Sequence, residues 1–239
     1  MIVLHQFESC FGVPNASGFC LKLECFLRMA GLPYRTQPLH DLGTAPKGKG
    51  PFITDDEDGS RIGDSALIIQ HLKRKHGIDL DRWLTPAERA AAQAFRVMLE
   101  EHLYFAILHN RWSEDRHWPL VRDAFLSDLP PPVQAGIREK MRERLRAQGL
   151  GLHAPDELYA LVVPDITAMA DWLDAKPFFM GEQPSEVDCI IFAYTANLLM
   201  PQVFDGPMQA EARRHANLAA YNRRMLERYF PEWRSSAAA

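Results

Sequence analysis

The N-terminal part of the chain alternates between short apolar runs and one amphipathic stretch. Residues 2–7 form an apolar run with a β-branched start, which predicts a strand. Across residues 18–30 the apolar positions recur at i, i+3 and i+4, which predicts a helix that stops at Gly31. A second strand is expected over residues 33–39, towards the edge of its sheet because Pro38 has no N–H to donate.

A hairpin and a second helix complete this part. A strand is predicted over residues 52–54, and Asp58-Gly59 is a strong signal for the turn to a returning strand. Asp64 suits the N-cap of a helix, and Gly77 suits its stop. The order strand, helix, strand, irregular link, hairpin, helix predicts a mixed sheet whose first two strands are parallel.

The rest of the chain has helical periodicity. Thr85-Pro86-Ala87-Glu88 is a capping box with proline at the first helical position, and it starts a helix that runs towards Trp112. Further helices are expected over residues 132–148, 155–175, 185–200 and 208–228. There is no second set of strands in the pattern.

The predicted domain boundary lies in residues 77–84, before this capping box. The fold class is then an α/β domain over residues 1–77 followed by an all-helical domain over residues 85–239. The chain ends in a serine and alanine run, residues 235–239, which we expect to be frayed.

Composition narrows the classes of function. The 239 residues are 47% apolar and 24% charged, as in globular proteins, and the net charge of −4 lacks the basic footprint of a nucleic-acid binder. Neither a secretory signal nor a run of about 20 apolar residues is present, so we expect a cytoplasmic protein without a membrane span. The four cysteines lack CxxC or zinc-type spacing, which predicts free thiols and no metal site.

Four short motifs carry the candidate chemistry. Residues 15–24, Asn-Ala-Ser-Gly-Phe-Cys-Leu-Lys-Leu-Glu, open the first helix. Residues 46–52, Pro-Lys-Gly-Lys-Gly-Pro-Phe, precede the third strand, and Asp64-Ser65 opens a helix about a dozen residues later. Residues 181–188, Gly-Glu-Gln-Pro-Ser-Glu-Val-Asp, form a capping box for a later helix.

In this order and spacing, the motifs resemble those of the glutathione transferase superfamily. Residues 46–52 are similar to its P-x-G-K-x-P, and residues 181–188 to its G-x-x-P-[ST]-x-x-D. Residues 17–24 resemble the S-P-F-C-x-K-x-E of a metaxin-like and failed-axon-connections-like subgroup that has bacterial members, with Gly18 replacing proline. The resemblance implies a thioredoxin-like domain that binds glutathione, followed by the helical domain of that family.

The resemblance also implies a glutathione site. Pro51 would be cis, and Gly50, where most members carry Val, Leu or Ile, would pair its backbone with the cysteinyl part of glutathione. The helix N-terminus at Asp64 and Ser65 would attract the γ-glutamyl carboxylate, with the Ser65 hydroxyl donating to it and Asp64 pairing with the ammonium. Lys49 is a candidate for the glycyl carboxylate, against the alternative of a solvated loop lysine.

Ser17 is the candidate that activates the glutathione thiol. The resemblance implies that it would occupy the position of the attacking cysteine in glutaredoxins, and its hydroxyl would donate to the sulfur; the alternative is a plain N-cap serine. Asn15 is a second candidate from the same loop. For the electrophile, the first helix of the second domain offers Tyr104 and Trp112 as apolar walls and Arg111 as a polar gate, although ordinary core or surface positions also fit these three.

The leading hypothesis is a glutathione transferase that acts on a small electrophile and forms a homodimer. Its rival within enzymes is a glutathione-dependent thiol oxidoreductase that uses Cys20 or Cys10. Outside enzymes, an adaptor like the metaxins would keep the fold for protein contacts, because fold alone does not establish function.

Overall fold

The first strand of the chain lies inside a four-stranded sheet. The computed structural model describes residues 1–233, so the tail that we expect to be frayed lies outside the described residues. The strands are β1 Ile2–Gln6, β2 Tyr34–Pro38, β3 Phe52–Asp55 and β4 Arg61–Gly63. Their order is β2-β1-β3-β4, with β1 parallel to β2 and antiparallel to β3. The predicted mixed sheet is confirmed, and β2 is an edge strand, as Pro38 indicated.

Two helices cover this sheet. Helix α1 is Gly18–Met29, and helix α2 is Ser65–His76, which begins after the N-cap Asp64 and ends at Gly77 in the left-handed conformation. The irregular link between β2 and β3 contains a 3₁₀ turn at Leu42–Thr44.

The rest of the described chain is helical. Its helices are α3 Pro86–Met98, α4 Tyr104–Leu108, α5 Trp118–Phe125, α6 Pro131–Gln148, α7 Pro155–Leu173, α8 Glu186–Leu199, α9 Pro207–Arg214 and α10 Ala216–Tyr229. Two π-helical segments, Leu99–Leu103 and His109–Ser113, continue α3 and α4 into one run. Residues 20–27 of α1 are all buried, because α1 packs against α8 and its Glu24 accepts hydrogen bonds from Gln6 of β1 and Tyr34 of β2. No helix within residues 1–233 combines the length and apolar character that crossing a bilayer requires.

The single helix predicted over residues 208–228 is wrong, because two helices, α9 and α10, occupy this stretch. The break is at His215, whose backbone is extended (φ −96°, ψ 93°). The His215 carbonyl accepts the N–H groups of Leu218 and Ala219 and so starts α10, while its ring bonds to Glu211 at 2.9 Å. The buried apolar residues Ala212 and Leu218 on either side of the break are six positions apart, so the helical spacing of the apolar face is interrupted there.

The capping box that starts α8 anchors the helical domain. The Asp188 carboxylate accepts the backbone N–H of Ser185 at 2.8 Å and that of Phe179 at 2.8 Å, as well as the Tyr221 hydroxyl at 2.9 Å. Burial raises the pKa of Asp188, and these hydrogen bonds oppose the shift. The bond from Ser185 confirms the capping interaction expected from the sequence.

Candidate functional site

Strand register brings three of the four motifs to one edge of the sheet. Phe52 is opposite His5 in β1 and opposite Gly63 in β4. Pro51, the end of β1 and Asp64 therefore share this edge, where α1 also begins. Segments that are far apart in sequence thus meet at this edge, which is the candidate site.

The peptide bond between Gly50 and Pro51 is cis, as the resemblance implied. The structure also explains the unusual Gly50. A β-carbon at this position would lie 2.9 Å from Cδ2 of the buried Leu39 and 3.4 Å from Cε2 of Phe7. Leu39 and Phe7 therefore fill the space into which the larger side chains of other members would extend.

The backbone of Asp64 is strained at the start of α2. Its φ is +86°, a conformation that a non-glycine residue adopts only at a cost of about 1–3 kcal/mol. The carboxylate compensates by accepting the N–H groups of Ala66 at 3.0 Å and Leu67 at 3.2 Å. The first amide of the helix, that of Ser65, has no acceptor within residues 1–233, so it is available to an anion.

Ser65 contacts a buried cation, Lys22, that was not predicted to lie there. The residue is 5% exposed, and its Oγ accepts a hydrogen bond of 3.3 Å from Nζ of Lys22, itself 4% exposed. Nζ also lies 2.6 Å from Oε1 of Glu100 in the helical part. In the sequence Lys22 is one residue of the motif at positions 15–24, and nothing there predicted its contact with Glu100, 78 positions away.

Ser17 is the N-cap of α1 and is partly exposed. Its Oγ accepts the backbone N–H of Cys20 at 3.4 Å, so its own hydroxyl proton is free to be donated. The plain capping role and the thiol-activating role are therefore compatible in one side chain.

Asn15 is fully buried and fixes the backbone beside Ser17. Its Nδ2 donates to the carbonyl of Phe7 at 2.7 Å, and its Oδ1 accepts the N–H of Ser17 at 2.9 Å. Both ends of the amide are thus used within the loop. Asn15 therefore holds the loop that carries Ser17 in its conformation.

Arg111 lies beneath this loop. It is 7% exposed, and its guanidinium donates to the carbonyl of Ala16 at 2.7 Å and to Oδ1 of Asn197 at 2.9 Å. Asn197 in turn donates to the carbonyl of Asn15 at 3.1 Å. Burial lowers the pKa of Arg111 to about 10, and no carboxylate pairs with it in the described part of the chain. A cation held by neutral groups therefore supports the loop that carries Ser17.

Tyr104 and Trp112, the other two residues expected at the electrophile pocket, pack against different aromatic residues. Tyr104 packs edge-on against Phe19 at a centroid distance of 4.9 Å. Trp112 stacks on Phe125 at 6.4 Å with an interplanar angle of 14°. Tyr104 and Trp112 are both partly exposed.

Lys49, the candidate partner of the glycyl carboxylate, is exposed on the loop before β3.

Trp112 belongs to an aromatic wall, formed by Phe7, Phe11, Trp112 and Phe125. Phe125 lies 6.2 Å from Phe7 and 5.8 Å from Phe11, and all four side chains are partly exposed. Phe7 also approaches Gly50, so the wall starts at the edge that carries the motifs. Phe7, Phe11 and Phe125 were not predicted, because isolated aromatic residues in a sequence give no sign that they will meet.

The cysteines are poorly suited to form thiolates. Burial raises the pKa of Cys20 to about 11, opposed by the Ser17 hydroxyl, and raises that of Cys10 to about 11, opposed by Arg111. Cys25 and Cys189 are buried as well, and all four thiols are free.

Comparison with known proteins agrees with this geometry. The family model of the glutathione S-transferase N-terminal domain matches residues 18–117, and that of the C-terminal domain matches residues 163–225. The isoprene-epoxide–glutathione S-transferase of Rhodococcus sp. (strain AD45) is 30% identical, over 96% of this chain and 99% of that protein. The chain belongs to the glutathione S-transferase family.

Other relatives of this chain confirm its resemblance to the metaxin-like and failed-axon-connections-like subgroup. Failed axon connections of Drosophila melanogaster is 29% identical over 98% of this chain and 59% of its own length. Metaxin-1 of Macaca fascicularis is 28% identical over 92% and 73%. The β-etherase LigF of Sphingobium sp. strain SYK-6 has the same fold, with a TM-score of 0.64 at 16% identity over 97% of this chain and 99% of that one.

These findings confirm the thioredoxin-like part and the helical part of the glutathione transferase fold. The domain boundary at residues 77–84 stays a prediction, because the first family match extends from residue 18 to residue 117 across it.

Proposed function

We propose that this protein is a glutathione transferase that joins the sulfur of glutathione to a small electrophile. The observation that carries the proposal is the shared edge: Ser17 at the start of α1, the Gly50–Pro51 bond and the Ser65 amide lie there. The aromatic wall begins at the same edge, where Phe7 approaches Gly50. Ser17, the Gly50–Pro51 segment and the Ser65 amide would bind a tripeptide thiol, and the aromatic wall would bind an apolar electrophile.

Glutathione would lie along this edge. The backbone of Gly50 would pair with its cysteinyl unit as an added strand, and Lys49 would meet its glycyl carboxylate. The γ-glutamyl carboxylate would accept the free N–H and the hydroxyl of Ser65, while Asp64 would pair with the ammonium. The strained Asp64 backbone supports this placement, since such strain clusters at ligand-binding positions.

Ser17 would make the bound thiol acidic. Its hydroxyl donates to the sulfur, and the N-terminus of α1 favours the negative charge. Each unit by which the pKa of the thiol falls corresponds to about 1.4 kcal/mol of preference for the thiolate. The thiolate then attacks an electrophilic carbon beside the aromatic wall.

An epoxide is the electrophile class that we propose first, because one relative is named for glutathione transfer to isoprene epoxide. The carbon–sulfur bond would form as a carbon–oxygen bond of the strained ring breaks, and the resulting alkoxide would take a proton from solvent. Trp112 and Phe125 would exclude water from the carbon that is attacked.

The burial of the cysteines favours this chemistry over the oxidoreductase alternative. With pKa values of about 11, Cys10 and Cys20 are almost entirely protonated at neutral pH, and Cys20 is inaccessible. An oxidoreductase would need one of them as a thiolate. The adaptor alternative, which the similarity to metaxins supports, predicts weak or absent binding of glutathione.

Isothermal titration of the reduced protein with glutathione tests the proposal. We expect micromolar to millimolar affinity that Asp64→Ala and Ser65→Ala each weaken at least about tenfold, as expected for lost charge-assisted hydrogen bonds. The matched controls are Asp128→Ala and Ser127→Ala, two exposed positions, which should leave the affinity unchanged. Absence of binding at several millimolar would contradict the transferase and favour the adaptor.

A further inference from the structure

Lys22 is a lysine buried between two parts of the protein. Burying an ammonium is costly unless other groups pair with it. Here Glu100 supplies a carboxylate oxygen 2.6 Å from Nζ, and the second oxygen of Glu100 is bound by Arg96. The cluster therefore holds two cations and one anion, and it keeps one positive charge in excess.

The Lys22 ammonium lies under the start of α2. Nζ of Lys22 is 3.3 Å from Oγ of Ser65, and Ser65 is the first residue of that helix. The nearest carboxylate on the same helix, that of Asp64, is exposed and held by two backbone amides. The Lys22 ammonium and a free backbone amide thus meet at Ser65.

The contact also fixes which way the Ser65 hydroxyl points. An ammonium group only donates, so Oγ must be the acceptor in its bond with Lys22. The Ser65 proton is then directed elsewhere, and hydrogen bonds in such a chain strengthen one another. Ser65 is therefore prepared to donate to an anion beside it.

We propose that Lys22 is the positioning residue for the γ-glutamyl carboxylate of glutathione, acting through the Ser65 hydroxyl and held in place by Glu100. This inference rests on the proposed function, and it adds a residue and a source of selectivity to that site. It also makes recognition of one end of glutathione depend on contact between the thioredoxin-like and helical parts, because Glu100 belongs to the helical part.

The test compares two ligands by isothermal titration. One is glutathione, and the other is γ-aminobutyryl-cysteinyl-glycine, which lacks only the γ-glutamyl carboxylate. We expect the wild-type protein to prefer glutathione by about 10–100-fold, the range typical of charge-assisted hydrogen bonds. Lys22→Met should lose most of this preference by weakening glutathione alone. In the Ser65→Ala protein, the same change should have little further effect.

A matched control is Lys140→Met, at an exposed lysine, which should keep the full preference. Since Lys22→Met leaves Glu100 buried without its partner, the pair Lys22→Met/Glu100→Gln provides a second variant that removes both charges. An equal loss of affinity for both ligands in these variants would assign Lys22 a purely structural role and overturn the inference. Failure of the wild-type protein to bind glutathione would overturn the proposed function, and the inference with it.

Discussion

The ring of Tyr194 in α8 covers Gly18 at the start of α1. A β-carbon on Gly18 would lie 3.0 Å from Cε2 and 3.3 Å from Cζ of this ring. The tyrosine is 1% exposed, so it has little room to move away. The subgroup that this protein resembles has proline where Gly18 stands, and the ring of Tyr194 explains why proline does not fit here.

Gly18→Ala is therefore expected to destabilise the protein. Replacing glycine at a compatible position stabilises by about 0.4–1 kcal/mol, but forcing an extra carbon into a packed contact costs about 1–3 kcal/mol. The second effect is larger, so urea denaturation should show a lower free energy of unfolding. In a Tyr194→Leu background, which removes the ring, the penalty should disappear; an equal penalty in both backgrounds would contradict this explanation.

Arg111→Met should weaken both the fold and thiol activation. The change leaves the carbonyl of Ala16 and Oδ1 of Asn197 without their donor, at a cost of about 1–3 kcal/mol each. It also removes a buried positive charge from under the Ser17 loop. The pKa of bound glutathione, followed by ultraviolet absorbance of the thiolate, should rise. Arg111→Lys keeps the charge and should raise it less, and an unchanged pKa in both variants would restrict Arg111 to a structural role.

The buried thiols should make the protein less stable in alkali. Burial raises the pKa of Cys20 to about 11, whereas a cysteine in the unfolded chain has a pKa of about 8.5. Between these values the folded protein retains a proton that the unfolded chain has lost, so the free energy of unfolding falls as pH rises from about 8.5 to about 11. Denaturation of wild type and Cys20→Ala across this range isolates the effect from other titrating groups. The variant should show the shallower fall, and parallel curves would contradict the assignment.

Asp188→Ala should be among the most damaging single changes in the helical part. It leaves the buried N–H groups of Phe179 and Ser185 and the hydroxyl of Tyr221 without an acceptor. The expected loss is about 3–5 kcal/mol, measured by chemical denaturation. Asp128→Ala, at an exposed position, is the control and should change stability by less than about 0.5 kcal/mol. A loss below about 1 kcal/mol for Asp188→Ala would contradict the anchoring role.

Local signals predicted much of this structure. The cap at Asp64, the hairpin at Asp58-Gly59 and the box that ends at Asp188 each depend on residues within a few positions of one another. Because their hydrogen bonds form within one turn, the spacing of the residue types along the chain is enough to predict them.

Contacts between distant residues were not predictable in this way. Lys22 meets Glu100 across 78 positions, and Arg111 meets Ala16 across 95. Such pairs depend on how α1 packs against the helical part, which no local pattern specifies. The aromatic wall has the same origin, since its members come from the end of β1, the loop after it, and two separate helical segments.

The burial of α1 has a consequence for how this chain is divided. This helix follows β1 in the sheet, yet residues 20–27 are enclosed from the other side by α8, more than 150 positions later. Cutting the chain in residues 77–84 would therefore not release two independent domains. The N-terminal fragment would expose apolar residues of α1 that include Cys25 and Phe26. The C-terminal fragment would lose the helix that packs against α8, its most buried helix. We therefore expect the two parts of this protein to unfold as one cooperative unit, with the proposed glutathione site beside α1, the helix at which they meet.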